Sequence, residues 1–295
     1  MKLIFLRILV FWVLLLSCSA PEPDISETIF PVKEWISVSD GTIPLVIIAP
    51  HGGNLKPSEL PDRNCENCVY VNDLNTMELA QAINSTFYSR TGKRPFLILN
   101  KLHRTKFDGN RDLTEATGGY DPLTPYWVYY HNAIDTAVNR ALRLSDRVLV
   151  IDLHGHGHDK QRLELGYLLS GSDLRKNDSD IQNLLPQSSV AGLTQSSGKS
   201  TELINGLLSL GASFETVGIP SVPSPSDRAP LSGDPYFNGG FNTLRYGSAN
   251  GGPSDAIQIE CHYTGIRNSS ASIASFAEKF VTALLLFLEQ NYPGN

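Results

Sequence analysis

Four short stretches of the chain are apolar without helical spacing. Residues 148–158 read VLVIDLHGHGH, and residues 43–50 read IPLVIIAP. Both predict strands buried on two faces, because nothing in them alternates. Residues 94–99, RPFLIL, predict a third. Residues 256–262, AIQIECH, do alternate: Ile257 and Ile259 share one side of a predicted strand, Gln258 and Glu260 the other. Between these runs the apolar positions fall at helical spacing. Met77, Ala80, Ile83 and Phe87 predict a helix over about 75–90, stopped by Gly92. Trp127, Tyr130, Ile134, Val138 and Ala141 predict another over about 125–144. Ile273, Phe276, Phe280, Leu284 and Phe287 predict a third over 272–291. Alternating strands and helices predict the α/β class: a three-layer domain, its mostly parallel or mixed sheet covered by helices on both faces.

The rest is less regular. Residues 54–71 form a predicted loop, and residues 165–169 a predicted strand. Residues 171–199 are rich in Ser, Asp, Asn and Gln and predict a surface excursion. A short helix is expected over 200–210 with Gly211 as its cap, and no regular element over the proline-rich 220–235. Asp73 precedes the first helix, where a carboxylate commonly caps the free N–H groups.

At the N-terminus, Lys2 and Arg7 accompany an apolar run ending near Leu16, which predicts a signal peptide over 1–17. Leu15-Leu16-Ser17-Cys18 resembles a bacterial lipobox, with Cys18 lipidated and attached to a membrane; cleavage near Ala20 is the alternative. Either predicts an exported protein, periplasmic, outer-membrane-anchored or secreted, with a tether over 18–30 and one catalytic domain over 31–295. Net charge is −6 and no basic block occurs, which argues against a nucleic-acid partner. In an exported chain, Cys65 and Cys68 predict a local disulfide rather than half a zinc site, and Cys261 a buried thiol.

The chemistry gathers at strand ends. The 43–50 strand runs into His51-Gly52-Gly53, and the 148–158 strand ends in His154, His156 and His158. Neighbouring strands ending this way would bring His51 and His154 to one sheet edge as metal ligands. The third ligand is open among Asp73, Glu59 and Asp152; Asp152 lies two residues before His154, on its side of the strand, and could instead orient that histidine. Glu260, late in a core strand, needs a partner or a task, and general-base work is one. Arg104 and Arg111 follow the third strand and suit a carboxylate or an oxyanion. Gly239 and Gly240, flanked by Phe237 and Phe241, suit a loop whose backbone approaches a ligand, or a plain turn. His131 lies on the buried side of its helix and predicts a packed histidine.

Several blocks in order carry a resemblance: Pro50-His51-Gly52-Gly53, Asn72-Asp73, Arg104, Asp108-Gly109-Asn110-Arg111, Asp152-Leu153-His154-Gly155, Asn238-Gly239-Gly240 and Gln258-Ile259-Glu260. The set resembles the N-formylglutamate amidohydrolase family of zinc hydrolases, which look like distant relatives of carboxypeptidase A. The resemblance implies a zinc-carboxypeptidase-like (phosphorylase/hydrolase-like) fold, with zinc at His51 and His154 and Glu260 as general base. It implies that Arg104 polarises the scissile carbonyl and that Asn110 and Arg111 grip a substrate carboxylate. Carboxypeptidases carry a ligand Glu three residues after the first His; here that position is Asn54, and Asp73 is the preferred replacement.

The expectation is therefore an exported zinc amidohydrolase acting on a small molecule or short peptide with a free carboxylate, such as an N-acyl amino acid. An exported chain points away from N-formylglutamate itself. The alternatives are a cell-wall or poly-γ-glutamate metallopeptidase and, from another class, a binding protein on a degenerate hydrolase fold.

Overall fold

A computed structural model describes residues 32–198 and 201–292. The predicted signal peptide, Cys18 and the tether over 18–30 lie outside the described residues. The elements run α1 (Val32–Trp35), β1 (Ile36–Ser39), β2 (Leu45–Ala49), α2 (Thr76–Thr91), β3 (Phe96–Asn100), α3 (Leu113–Thr117), α4 (Thr124–Ala141), β4 (Val148–His156) and β5 (Leu163–Gly166). They continue with α5 (Gly171–Leu174), α6 (Asp178–Leu184), α7 (Ala191–Ser197), α8 (Leu210–Thr216), β6 (Ser221–Val222), α9 (Phe241–Tyr246), β7 (Ser254–His262) and α10 (Ser270–Asn291).

The strands make one seven-stranded mixed sheet in the order β1-β3-β2-β4-β7-β5-β6. Its centre, β3-β2-β4-β7, is parallel; β1 and β5 pair antiparallel to it, and β6 runs parallel to β5. From β2 the chain steps to β3 on one side and later to β4 on the other. The carboxyl ends of β2 and β4 therefore flank a switch point, where open α/β sheets leave a crevice.

The absence of alternation in the central strands has a direct cause. Leu45, Ile47, Leu149, Ile151, Ile257 and Ile259 belong to one core, with Ile83 and Phe87 of α2, Phe214 of α8 and Phe280 and Leu284 of α10. Val46, Ile48, Val148, Val150 and Ala256 belong to the other, with Tyr126, Tyr130 and Ile134 of α4 and Phe107. Successive residues of β2, and of β4 over Val148–Ile151, feed opposite cores, so each is apolar, whereas β7 keeps Gln258 and Glu260 among its buried positions. Each such side chain contributes roughly 1.5–3 kcal/mol on burial.

The sequence expectations need correction between 163 and 222, where the stretch expected to lack regular structure over 220–235 supplies the two-residue strand β6 beside β5. The region read as a surface excursion holds α5, α6 and α7, and it sends Leu174, Ile181, Leu185, Val190 and Leu193 into the larger core. Those apolar residues are spread too thinly among polar ones to show a period. The helix expected over 200–210 is instead a 3₁₀ turn at Thr201–Leu203, followed by α8, which starts where the prediction ended. Ser209 caps α8, accepting a hydrogen bond from the Ala212 amide at 3.0 Å. Gly211 is not a cap but an inner residue of α8. A Cβ there would lie 2.2 Å from the Pro223 carbonyl oxygen, so glycine permits the close approach. The strand expected at 165–169 is β5, two residues earlier; Leu168, at φ 64°, lies just past its end. The short edge strand β1 carried no sequence signal. Cys65 and Cys68 are joined, with Cα atoms 5.2 Å apart, and Cys261 is a buried thiol.

The Phe280 ring is fully buried, 5.3 Å from Phe214 and 5.8 Å from Phe276 between centroids. Phe280→Ala should cost about 3–5 kcal/mol of unfolding free energy, read by urea denaturation. A loss under about 1 kcal/mol would mean that α10 does not depend on this contact.

Candidate metal centre

His51 leaves the carboxyl end of β2, and His154 sits near the end of β4. Asp73 lies on the loop before α2. All three are buried, and their ligand-type atoms lie within 4.8 Å of one another, so they can hold a metal ion. The Asp73 Oδ2 atom is the meeting point. It lies 3.3 Å from His51 Nδ1 and 3.0 Å from His154 Nδ1, and it accepts from the Gly155 amide at 3.2 Å. Asp73 does not cap α2. The cap residue is Asn75, at φ 63°, and the Asp73 carboxylate turns to the histidines instead. Glu59 is exposed and outside this cluster.

The far ring nitrogens meet further carboxylates. His51 Nε2 is 2.6 Å from Asp108 Oδ1. A carboxylate in this range only accepts, so Nε2 carries the proton and Nδ1 the lone pair. His154 Nε2 is 3.0 Å from Asp152 Oδ1 and 3.3 Å from Asn110 Nδ2. Asp152 therefore stands behind His154 rather than inside the cluster, an arrangement of the kind that orients imidazoles at metals. Asp108 is itself held: Arg104 Nε donates to it at 2.8 Å, and Arg63 Nη2 lies 3.6 Å away.

These groups suit a cation. With the proton on Nε2, the His51 Nδ1 lone pair faces a carboxylate oxygen, and that contact is repulsive unless something positive lies between. In the protein alone, the positive charge beside that oxygen comes from His154. Burial works to lower His154, but the charge of Asp152 and hydrogen bonds to Asp152 and Asp73 hold it well above the usual histidine range. Burial works to raise Asp73, yet His51 and His154 hold it well below the usual carboxylate range. Asp108 behaves likewise, with His51, Arg104 and Arg63 overcoming burial. Two nitrogens and one carboxylate oxygen form a donor set suited to a divalent ion that displaces the proton between His154 and Asp73.

Glu260 is placed by register. Parallel pairing of β4 with β7 sets it beside His154, and antiparallel pairing with β5 sets it beside Glu164. Its Oε1 accepts from Gln258 Nε2 at 3.1 Å. Burial pushes its carboxyl up, His154 pulls it back, and Asp73, Glu164 and Asp152 add to the rise, leaving it at about 8.

The remaining predicted residues divide. Arg104 is committed to Asp108 and lies 3.7 Å from Asp73 Oδ1, with 11% of its side chain exposed. Arg111 is more open, at 32%; it donates to the Asn110 carbonyl and pairs with Glu115. Asn110 is buried, its amide on His154 and its oxygen accepting from the Asn242 backbone at 2.8 Å. Gly240 lets the backbone close over it: a Cβ there would lie 2.5 Å from Asn110 Nδ2. Gly239, at φ 123°, and Gly240 thus pack on Asn110 and Leu168. His131 bonds the Tyr246 hydroxyl at 2.7 Å, away from the centre. Asp108 is the residue sequence reasoning missed as a partner of His51. Its only signal was its place in the Asp-Gly-Asn-Arg block.

No protein-family model matches the sequence, and no curated protein sequence matches it either. The fold has solved counterparts. The crystal structure of an N-formylglutamate amidohydrolase from Ralstonia eutropha is similar at a TM-score of 0.55 and 15% identity, covering 87% of this chain and 97% of the other. A gene product of Agrobacterium tumefaciens is similar at 0.51 and 16% identity, over 86% of this chain and 95% of the other. The chain thus has an amidohydrolase-like α/β fold, and the family resemblance read from its motifs extends to its architecture.

The raised Glu260 carboxyl has a measurable sign. Its ordinary value is 4.5 and its folded value about 8, so between them the native state holds a proton that the unfolded chain has released. Stability of the metal-stripped protein should fall as pH rises through that window, by up to about 1.4 kcal/mol per pH unit from this group. Glu260→Gln lacks the effect. Urea denaturation of both proteins between about pH 5 and pH 8 should show the variant gaining on the wild type with rising pH. Parallel profiles would show that Glu260 is not shifted.

Proposed function

We propose that this protein is an exported zinc-dependent amidohydrolase that cleaves the amide bond of an N-acyl amino acid or short peptide carrying a free carboxylate. The observation that carries the reading is the buried His51–Asp73–His154 cluster, whose Nδ1 atoms converge on one carboxylate oxygen while Asp108 and Asp152 stand at the far ring nitrogens. The amidohydrolase-like fold supports it, and so does the position of that cluster at the sheet's switch point. Export rests on the apolar N-terminal stretch over 1–17.

His51, Asp73 and His154 would hold the zinc. Bound there, zinc would act as a Lewis acid on the scissile carbonyl and lower the pKa of a water. Glu260 lies one strand from His154 and is the group placed to take a proton from that water and return it to the leaving amine. With its carboxyl near 8 in the protein alone, it is mostly protonated at neutral pH. A divalent cation beside it would favour the ionised form and make it a base. Asp108 and Asp152 keep the ligand rings turned toward the metal. Arg104 fixes Asp108 and lies near Asp73, so its first task is to hold the ligand set. Arg111, the more exposed arginine, would exchange its partly exposed Glu115 partner for a substrate carboxylate.

Purified protein should bind zinc, and His51→Ala with His154→Ala should lose the ion held at these residues. Glu260→Gln should keep that zinc and lose roughly 10²–10⁴-fold in turnover of N-acyl amino acids. Zinc unchanged in the double variant, or turnover unchanged in Glu260→Gln, would refute the assignment. Arg111→Ala should raise KM roughly tenfold or more for carboxylate substrates and little for their amides. Equal effects on both would remove the carboxylate clamp.

A further inference from the structure

A second group of ligand-type side chains stands beside the first. β4 reaches the sheet edge as His154-Gly155-His156, and the turn after it carries His158. That turn crosses the end of β7, because β7 lies between β4 and β5 in the sheet. Glu164 then enters on β5. His156, His158 and Glu164 bring their ligand-type atoms within 4.8 Å of one another, with His156 and Glu164 buried and His158 partly exposed.

The ring orientations are set from outside the cluster. His156 Nε2 donates to the Arg162 carbonyl at 2.8 Å, which leaves the lone pair on Nδ1. Among the described residues that lone pair meets only the His158 amide, at a long 3.2 Å. His158 Nδ1 is 2.8 Å from Glu164 Oε1, and the other Glu164 oxygen accepts from the Phe237 amide at 2.8 Å. The Phe237 ring stacks on His158 at 4.9 Å and 17°.

Two further observations call for a cation here. Glu164 sits directly across from Glu260 in the β5–β7 pairing, so two buried carboxyls share one row of the sheet, an arrangement costly without a shared positive partner. His262 lies opposite His156 in the β4–β7 register, with ring centroids 6.3 Å apart. Its Nδ1 atom is buried and has no hydrogen-bond partner among the described residues. A bound ion would offset the first feature and lie beside the second.

We propose that His156, His158 and Glu164 form a second zinc site, separate from the His51–Asp73–His154 centre and beside His262. Two imidazole nitrogens and a carboxylate are the zinc donor set again, and the partly exposed His158 ring gives the ion its route in. The ion would fasten the turn after β4 to β5 across the end of β7. Through Glu164 and Phe237 it would also fasten the loop that carries Gly239 and Gly240. The inference does not depend on the proposed hydrolysis.

The test is zinc binding alone. Metal-stripped full chain is dialysed against excess zinc, and bound metal is counted by mass spectrometry. Wild type should hold about two zinc ions per chain and His158→Ala about one, while His51→Ala with His154→Ala retains the ion that His158→Ala loses. Glu164→Gln should behave as His158→Ala. Circular dichroism verifies folding, and His158→Ala, at a partly exposed side chain, keeps the test decisive where loss of the buried Glu164 unfolds the chain. A single ion in wild type that disappears with His158→Ala would uphold this site and refute the first centre. Zinc content unaffected by His158→Ala, or no zinc in wild type, overturns the proposal.

Discussion

One carboxylate oxygen organises the site. Asp73 Oδ2 is shared by two buried imidazoles and a part-buried backbone amide. No single element could supply that convergence. His51 comes from the end of β2, His154 and the Gly155 amide from β4, and Asp73 from the turn before α2. The β2–β4 pairing fixes the two histidines, and α2 fixes the carboxylate by packing Leu79, Ala80, Ile83 and Phe87 on the sheet. The apolar layer is therefore the tool that forces charges together. Its burial energy offsets the desolvation that charges taken out of water incur.

Around that oxygen the charges are arranged in alternation. Asp108 holds His51 from behind and is held in turn by Arg104 and Arg63. Arg63 spends its other donors on the carbonyls of Arg104, Glu115 and Val69, which ties three loop segments to one guanidinium. Asn72 repeats the device, donating to the Gly53 carbonyl while accepting from the Arg104 amide. The loops at this sheet edge have little apolar material of their own. Their geometry comes from buried polar bonds, which are strong only while every member is satisfied. That explains why the disulfide of Cys65 and Cys68 and the Arg63 bonds fall in the same stretch.

The sequence made the parallel centre legible because β2, β3 and β4 are buried on both faces and α2, α4 and α10 carry one apolar stripe each. His51, His154 and Glu260 stood out because polar ligand-type residues interrupted apolar runs. Asp73 was readable only as one carboxylate among three, since a residue before a helix has an equally good reason to be an aspartate. Asp108 had no signal beyond its place in the Asp-Gly-Asn-Arg block: its role exists only once β3's following loop folds back on His51. The errors over 171–210 have the opposite origin. The helices capped by Ser170 and Asn177 bury one residue each, and the seven-residue helix capped by Ser209 buries five consecutive ones, so none of them shows a helical period.

The position of Asp73 has a physical consequence. With Asn54 three residues beyond His51, the short loop cannot complete a metal site by itself. Asn54 is exposed, and its oxygen merely accepts from Asn72. The carboxylate arrives instead from the start of α2, twenty-two residues after His51. A ligand pair within one turn is preformed by local geometry, whereas this set exists only when α2 is docked. Asn75 supports the docking from the other side, bonding the Arg267 carbonyl, while Arg267 bonds the Leu74 carbonyl in return. Binding at the centre is thereby linked to the packing of α2 between the sheet and α10. A cation that joins Asp73 to His51 and His154 would stabilise that docking as directly as any apolar contact in the interface.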